Sequence, residues 1–242
     1  MTNTQATPSG GAVATLGSAT VEKLRKSLRG DLLLPADNGY DETRSIWNAM
    51  IDCKPALIVR CRGSADVSTA VKFAAEHSLL TSIRGGGHNI AGNAVCEGGL
   101  MIDLSAMNDV RVDPEAKRAH VGPGATLGDF DHEAQAFGLA APTGINSTTG
   151  IAGLTLGGGF GWLSRKYGMT VDALRAADVV TADGELVHTS ESEHPDLFWA
   201  LRGGGGNFGV VTRFEFELYP VGPEVTSGLI VFSHDEADTV LK

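Results

Sequence analysis

Three glycines in a row stand directly before a histidine in SIRGGGHNIAG, residues 82–92, at the end of an apolar run. Glycine has the most conformational freedom to lose and weakens helix and strand interiors. A triplet is therefore tolerated mainly where the backbone must take positive φ or where another group must approach it closely. Gly157–Gly159 and Gly203–Gly206 repeat the feature, and 32 glycines in 242 residues are nearly twice the usual share of about 7%. Any fold proposed for this chain has to give these loops a purpose.

The segments around the first triplet alternate in type. PALIVRC (55–61) is a short apolar, β-branched run, and SADVSTAVKFAAEHSL (64–79) follows with Ser64 as N-cap and Val67, Val71, Ala74 and Ala75 at helical spacing. LLTSIRGGG is strand-like again, which predicts a right-handed β-α-β unit closing into a parallel pair, with the glycines at a strand's carboxyl end. GLMIDLS is a further strand. The pattern then changes to hairpins: DVRVDPEAKRAHVGPG around a D-P-E-A turn, and AADVVTADGELVHTS, where Asp183-Gly184 is expected to supply two positive-φ positions. Between them TLGDFDHEAQAFGL predicts a helix to Gly138 opened by a Thr126/Asp129 capping box. HPDLFWALRGGGGNFG predicts a short helix with Pro195 in its first turn, VVTRFEFELYP a strand, and VTSGLIVFSHDEADTVLK a new strand with room for a helix. At the other end TVEKLRKSL reads as a helix, and residues 1–19, small and polar, as a disordered tail.

A formal net charge of −10 argues against a nucleic acid partner, because phosphate neutralisation needs clustered Lys and Arg. Any phosphate bound here is held mostly by backbone. Cys53, Cys61 and Cys96 lack metal or disulfide spacing and read as packed thiols, and the histidines show no ligand pairing, so no metal site is expected. The N-terminus lacks the basic start and apolar stretch of a signal peptide, and no apolar run approaches roughly 20 residues, so a soluble, cytoplasmic protein without a membrane partner is expected. Gly204–Gly209 satisfies G-x-G-x-x-G, but a helix precedes it and a strand follows, the reverse of the dinucleotide fingerprint. Taken alone, such a cluster is a helix stop and a tight turn. Taken together, three clusters can present concave rows of N–H groups to an anion. Ser147, Thr148, Thr149 and Thr155 add hydroxyls, and a diphosphate ligand threaded between two subdomains fits this inventory.

Four stretches in order, IRGGGHNIAG, GLMIDLS, PTGINSTTGIAGLTLGGGFGWLSRKYG and DLFWALRGGGGNFGVVTRFEFEL, closely resemble the FAD-binding domain of the berberine-bridge-enzyme-like oxidoreductases of the vanillyl-alcohol-oxidase superfamily, over roughly residues 48–222. The resemblance implies an α+β, PCMH-type FAD-binding fold of two α/β subdomains, a small parallel βαβ subdomain (about 50–105) and a mixed or antiparallel one (106–222), within a domain spanning 20–222. Residues 223–242 would then begin a truncated substrate-binding domain. By the same resemblance His88 carries the flavin through its 8α carbon. Arg84, Gly85, Gly86, Gly87 and Asn89 surround the diphosphate. Thr149, Gly150, Gly153, Gly157, Gly158, Gly159 and Gly161 support the flavin ring and adjacent chain, and Gly209 and Val210 meet the adenosine end. Asp103 joins the cofactor-binding set, with capping of strand-end N–H groups as its structural alternative. Family members with a second covalent link carry a cysteine where this sequence has Asn146, so a single tether is expected, and Cys96 lies in the wrong motif to replace it. Trp162, Tyr167 and Trp199 are flavin-stacking or core aromatics, with core packing beneath the second hairpin expected for Trp199.

The implied function is FAD-dependent oxidation: a hydride leaves an alcohol or C–N centre of a small-molecule substrate for the flavin, and the electrons pass to dioxygen or another acceptor. The base would belong to the substrate-binding domain, supplied in cis or in trans, so no catalytic residue is assigned. The alternatives are a non-catalytic FAD-binding fragment or half of a split enzyme needing a partner chain, and an unrelated ATP- or NAD-binding domain.

Overall fold

The two most apolar runs of the sequence lie side by side at the centre of a sheet. The computed structural model describes residues 4–7, 14–226 and 228–242. The first part of the chain runs through β1 (Thr4–Ala6), β2 (Ala14–Leu16), α1 (Ser18–Ser27), β3 (Asp31–Leu33), α2 (Tyr40–Arg44), β4 (Leu57–Arg60), α3 (Ser64–Glu76), β5 (Thr81–Arg84) and β6 (Leu100–Asp103). The last four strands named form a sheet ordered β3-β4-β6-β5, in which β6 is parallel to both β4 and β5, and β3 is antiparallel to β4. The β-α-β unit exists, but β6 lies between its two strands, so they are not the adjacent pair that the sequence predicts. Leu57, Val59, Leu100 and Ile102 pack on one face with Val21, Leu24, Val67, Ala70 and Phe73, while Ile58 and Met101 point to the other with Tyr40 and Val95. Both faces are covered, which is why these strands read as unbroken apolar runs. Each buried Val, Leu, Ile, Phe or Met among them contributes roughly 1.5–3 kcal/mol of transfer free energy.

Two expectations at this end are corrected. Gly63, not Ser64, is the N-cap of α3, and the Ser64 hydroxyl donates instead to Thr212 Oγ1 at 3.0 Å. The first turn is fixed from elsewhere: the buried carboxylate of Asp66 accepts from the backbone N–H groups of Arg29, Gly30 and Arg62 at 2.8, 3.0 and 2.9 Å. Nor are residues 4–7 and 14–19 a disordered tail, since β1 and β2 pair as an antiparallel ribbon, Ala6 and Leu16 are buried, and α1 begins at Ser18. Thr7 supplies the tie, its N–H donating to Gly98 O and its carbonyl accepting from Leu80 N. The rest of the 1–19 stretch lies outside the described residues.

The second part builds β7 (Val110–Asp113), β8 (Arg118–Val121), α4 (Leu127–Gln135), β9 (Leu139–Ala140), α5 (Ile151–Leu156), α6 (Ser164–Tyr167), α7 (Thr170–Ala173), β10 (Leu174–Val180), β11 (Leu186–Ser190), α8 (Pro195–Leu201), β12 (Val210–Glu217) and β13 (Tyr219–Pro220). Five of these strands make an antiparallel sheet ordered β11-β10-β12-β8-β7. Its inner face, including Ala119, Val121, Phe214 and Phe216, packs on Leu127, Phe130 and Ala134 of α4 and on Phe198 and Leu201 of α8. Its outer face carries ion pairs, among them Arg118 with Glu215 and Arg175 with Glu217. The α4 capping box forms as predicted: Asp129 N donates to Thr126 Oγ1 at 3.2 Å and Thr126 N to Asp129 Oδ2 at 2.9 Å. The helix stops at Gln135, and Gly138 makes the following turn at φ +65°.

Three details depart from expectation here. In the β10–β11 turn only Gly184 takes positive φ, because the loop 181–185 closes by a Thr181 N to Glu185 O bond and leaves Asp183 on the ordinary side. Trp199 points outward, 79% exposed, on the solvent side of α8. The last segment forms no strand among the described residues, only a 3-10 turn (His234–Glu236) and α9 (Ala237–Val240), with Leu229, Ile230, Val231 and Phe232 exposed. Val180 and Val210 pack into the first core, so the two sheets share a seam.

Candidate functional site

Three parallel strands, β4, β6 and β5, end at the same level in the first sheet, and the register places Arg60, Asp103 and Arg84 in one row. Asp103 has no exposed surface; its carboxylate lies 3.5 Å from Arg60 Nε and 3.5 Å from Arg84 Nη1, and accepts from Ser105 Oγ at 2.8 Å. One anion between two guanidinium groups ties the strand ends from inside, which a bare buried carboxylate could not do. Arg84 also donates to Thr43 O at 2.7 Å. Asp103 therefore stands behind Arg84, not at the surface of the site.

The glycine triplet answers to both needs that the sequence raises. Gly87 takes φ +71°, while Gly86 lies against Gly150: a Cβ built on Gly86 would fall 2.5 Å from Gly150 Cα and 2.5 Å from its nitrogen. Gly85 packs on Pro123 O and Ala152 in the same way. The two glycine loops thus meet backbone to backbone, an approach closed to any side chain. Residues 146–151 are pinned in turn to the start of α4, with Leu127 N donating to Thr149 O, Gly128 N to Ser147 O and Ile151 N to Ala125 O.

His88 stands at the rim of this junction, half-buried. Its ring stacks on Trp47, centroids 4.5 Å apart at 15°, and its Nε2 lies 3.3 Å from Thr148 Oγ1. Trp47 N donates to Gly87 O at 3.1 Å and Asn48 Nδ2 to Ile90 O at 2.9 Å, so the segment before β4 braces the loop. Sequence reasoning missed Trp47. The signal available was a large aromatic in a mixed stretch, RSIWNAM, with no helical or strand period to place it in a core. Asn89 closes its own turn, accepting from Asn93 N at 3.1 Å.

The third cluster folds back under the second loop. Gly158 (φ +105°) and Gly159 (φ +72°) pack on Met169 and Thr170, Gly161 on Thr143 O, and Gly205 N donates to Leu156 O at 2.9 Å. Gly153, inside α5, is exposed and has open space where a Cβ would stand. Gly209 (φ +135°) packs on Val180 O, and Val210 is buried in the seam; no hydrogen bond joins either to the His88 loop. Tyr167 stacks on Tyr219 and Trp162 is 83% exposed. Cys96 and Cys61 are buried, Cys53 half-buried, and burial pushes the Cys96 thiol above its ordinary range. The thiols are packing groups at most.

Chemically, the junction offers backbone N–H groups, the hydroxyls of Ser147, Thr148 and Thr149, and one imidazole edge. Among the described residues no group of three or more His, Cys, Asp or Glu could hold a metal ion. That donor set suits a long ligand with a diphosphate and an electrophilic ring, the parts of a flavin dinucleotide. No helix among the described residues is long and apolar enough to cross a membrane.

Comparison with known proteins agrees with this inventory. The FAD binding domain family model matches residues 55–190. The chain is 42% identical over 207 residues to (R)-6-hydroxynicotine oxidase of Paenarthrobacter nicotinovorans, covering 86% of this chain and 45% of the relative. The crystal structure of 6-hydroxy-D-nicotine oxidase from Arthrobacter nicotinovorans superposes with a TM-score of 0.79 at 43% identity, over 80% of this chain and 43% of that one. Glucooligosaccharide oxidase from Acremonium strictum, described as carrying a 6-S-cysteinyl, 8α-N1-histidyl FAD, gives 0.78 at 34% identity over 82% and 42%, and a berberine-bridge-enzyme-like protein of Physcomitrella patens gives 0.78 at 30% over 83% and 44%. The chain spans about half the length of the curated relatives it matches.

Proposed function

Because this chain belongs to the FAD binding domain family of FAD-linked oxidoreductases, we propose that it holds FAD through a single covalent link at His88 and oxidises a small molecule at an alcohol or C–N centre. The observation that carries the reading is the backbone contact of Gly86 with Gly150, which leaves His88 at the rim of two joined glycine loops. The N–H groups of Gly85–Gly87, with Asn89, hold the diphosphate, and Arg84 supports them through its hydrogen bond to Thr43 O and its ion pair with Asp103. Thr149, Gly150, Gly153, Gly157–Gly159 and Gly161 line the ring side, and Gly209 and Val210 the adenosine end. Asp103 acts on the cofactor only through Arg84. Bound FAD supplies the two-electron acceptor.

The choice of an alcohol or C–N centre draws on the names of the relatives, a hydroxynicotine oxidase and oligosaccharide oxidases. The substrate-binding surface and the base that takes the substrate proton are assigned to a further segment, supplied in cis or in trans, and dioxygen to the role of final acceptor. The deciding experiment is the absorbance spectrum of protein from an FAD-replete host, before and after acid precipitation. Yellow colour retained in the pellet, with flavin mass on the His88 peptide, is expected. Colour released to the supernatant reduces the reading to non-covalent binding, and a colourless protein that FAD does not titrate overturns it.

A further inference from the structure

The contacts of His88 determine which of its nitrogens carries the proton. Thr148 N–H donates to Asn146 Oδ1 at 3.1 Å. A backbone N–H can only donate, so the atom that faces it is the amide oxygen and not the nitrogen. The Thr148 hydroxyl donates to that same oxygen at 3.0 Å. Its one proton is then spent, and what it turns toward His88 Nε2, 3.3 Å away, is a lone pair. In the neutral ring Nε2 must therefore be the donor, and Nδ1 keeps its lone pair. The Trp47 stack holds the ring plane while this relay holds its edge.

The geometry points to Asn146 and Thr148 as positioning residues that fix His88 as the Nε2–H tautomer and so present Nδ1 as the nucleophile for the flavin tether. The inference rests on the covalent reading above. It also gives Asn146 a task at the position where doubly tethered relatives of the resembled family carry cysteine. The step balances as follows. A bond forms between Nδ1 and the flavin 8α carbon, and one C–H bond of that methyl group breaks. The methyl proton and, from the alkylated ring, the Nε2 proton are released. The two electrons left over pass to dioxygen, which with two protons becomes hydrogen peroxide. Thr148 lies beside the proton that has to leave.

The test uses the whole chain with 15N-labelled histidine, free of flavin, at a pH of about 8.5, where an unperturbed histidine is neutral. Ring-nitrogen NMR should find His88 as the Nε2–H form. N146L and T148V should move its two nitrogen shifts toward the mixture of a free side chain, while N146D and T148S, which keep the acceptor and the hydroxyl, should leave them in place. A Nδ1–H ring in the unmutated chain, or shifts that ignore both N146L and T148V while far-ultraviolet circular dichroism shows them folded, overturns the inference. On adding FAD, acid-stable flavin should form about five-fold more slowly in N146L and T148V, the weight of one hydrogen bond. Equal rates in folded variants would also overturn it. If the NMR result holds but no variant, nor the unmutated chain, ever retains acid-stable flavin, the relay stands as a tautomer device and the covalent reading fails instead.

Discussion

The two sheets handle charge in opposite ways. At the parallel strand ends one fully buried carboxylate, Asp103, sits between Arg60 and Arg84, the residue that leads into the His88 loop. On the antiparallel sheet Arg118, Arg175, Glu215 and Glu217 alternate across an open face, each about one third exposed. A buried ion loses its hydration and must be matched by its neighbours, whereas water and salt screen surface pairs. The parallel sheet therefore uses its buried charge to fix the strand ends that carry the loop, while the antiparallel sheet leaves its charges paired where water screens them.

The largest expected effect tests that contrast. Asp103→Ala removes the anion from between two guanidinium groups and should cost about 3 kcal/mol in a urea melt. Glu217→Ala, on the open face, should cost less than about 1 kcal/mol. Equal losses would dissolve the distinction between the two sheets. Asp103→Ala should also release the ring of His88 from Thr148, visible in the same nitrogen spectrum.

Next in size is the loop junction. Gly86→Ala places a methyl group 2.5 Å from Gly150 backbone atoms, and the forced shift should cost about 2 kcal/mol. Gly206→Ala, which meets nothing within 4 Å on an ordinary-φ residue of the third cluster, should be nearly silent. If both variants melt alike, the triplet is loop punctuation and the junction carries no special strain.

What the sequence made legible follows the range of the interactions. The α4 capping box, the two hairpins, Pro195 at the first helical position of α8 and the glycines at the end of β5 depend on residues a few positions apart, and all were readable. The insertion of β6 between β4 and β5, the docking of the N-terminal ribbon through Thr7, and the capping of residues 29, 30 and 62 by Asp66 depend on partners far along the chain. Local propensity carries no record of such partners. The site divides in the same way. The motif pointed to His88 and the glycines, but Trp47 and the Asn146–Thr148 relay come from segments that only the folded chain brings to the ring.

A smaller effect separates the sheets by pH. Tyr40, packed behind the parallel sheet and donating to Pro55 O at 2.6 Å, has its pKa pushed up to about 12 by burial. Its neutral form is the one the fold prefers. The stabilisation is thus fully present below the unfolded tyrosine value near 10 and is lost as pH rises from there through about 12, with a slope approaching ~1.4 kcal/mol per pH unit. Tyr40→Phe should remove that slope while costing about 1 kcal/mol at neutral pH for the lost hydrogen bond. A melt whose alkaline limb is unchanged in Tyr40→Phe would assign the loss to another group.

The smallest effect on stability is the sharpest on function. Gly153 lies inside α5, exposed, with no atom within 4 Å of where a Cβ would stand. Nothing in the protein itself requires glycine there. Alanine in a helix interior is favoured over glycine by roughly 0.5–1 kcal/mol, so Gly153→Ala should raise the midpoint of the flavin-free chain slightly. If the open face of α5 is where the flavin ring side rests, the same methyl group should lower FAD occupancy although the fold is more stable. Paired urea melts and FAD titrations read the two quantities separately. A variant that gains stability and keeps full affinity would move the ring off α5, and the glycine loop at Gly85–Gly87 would then carry the cofactor without help from the second.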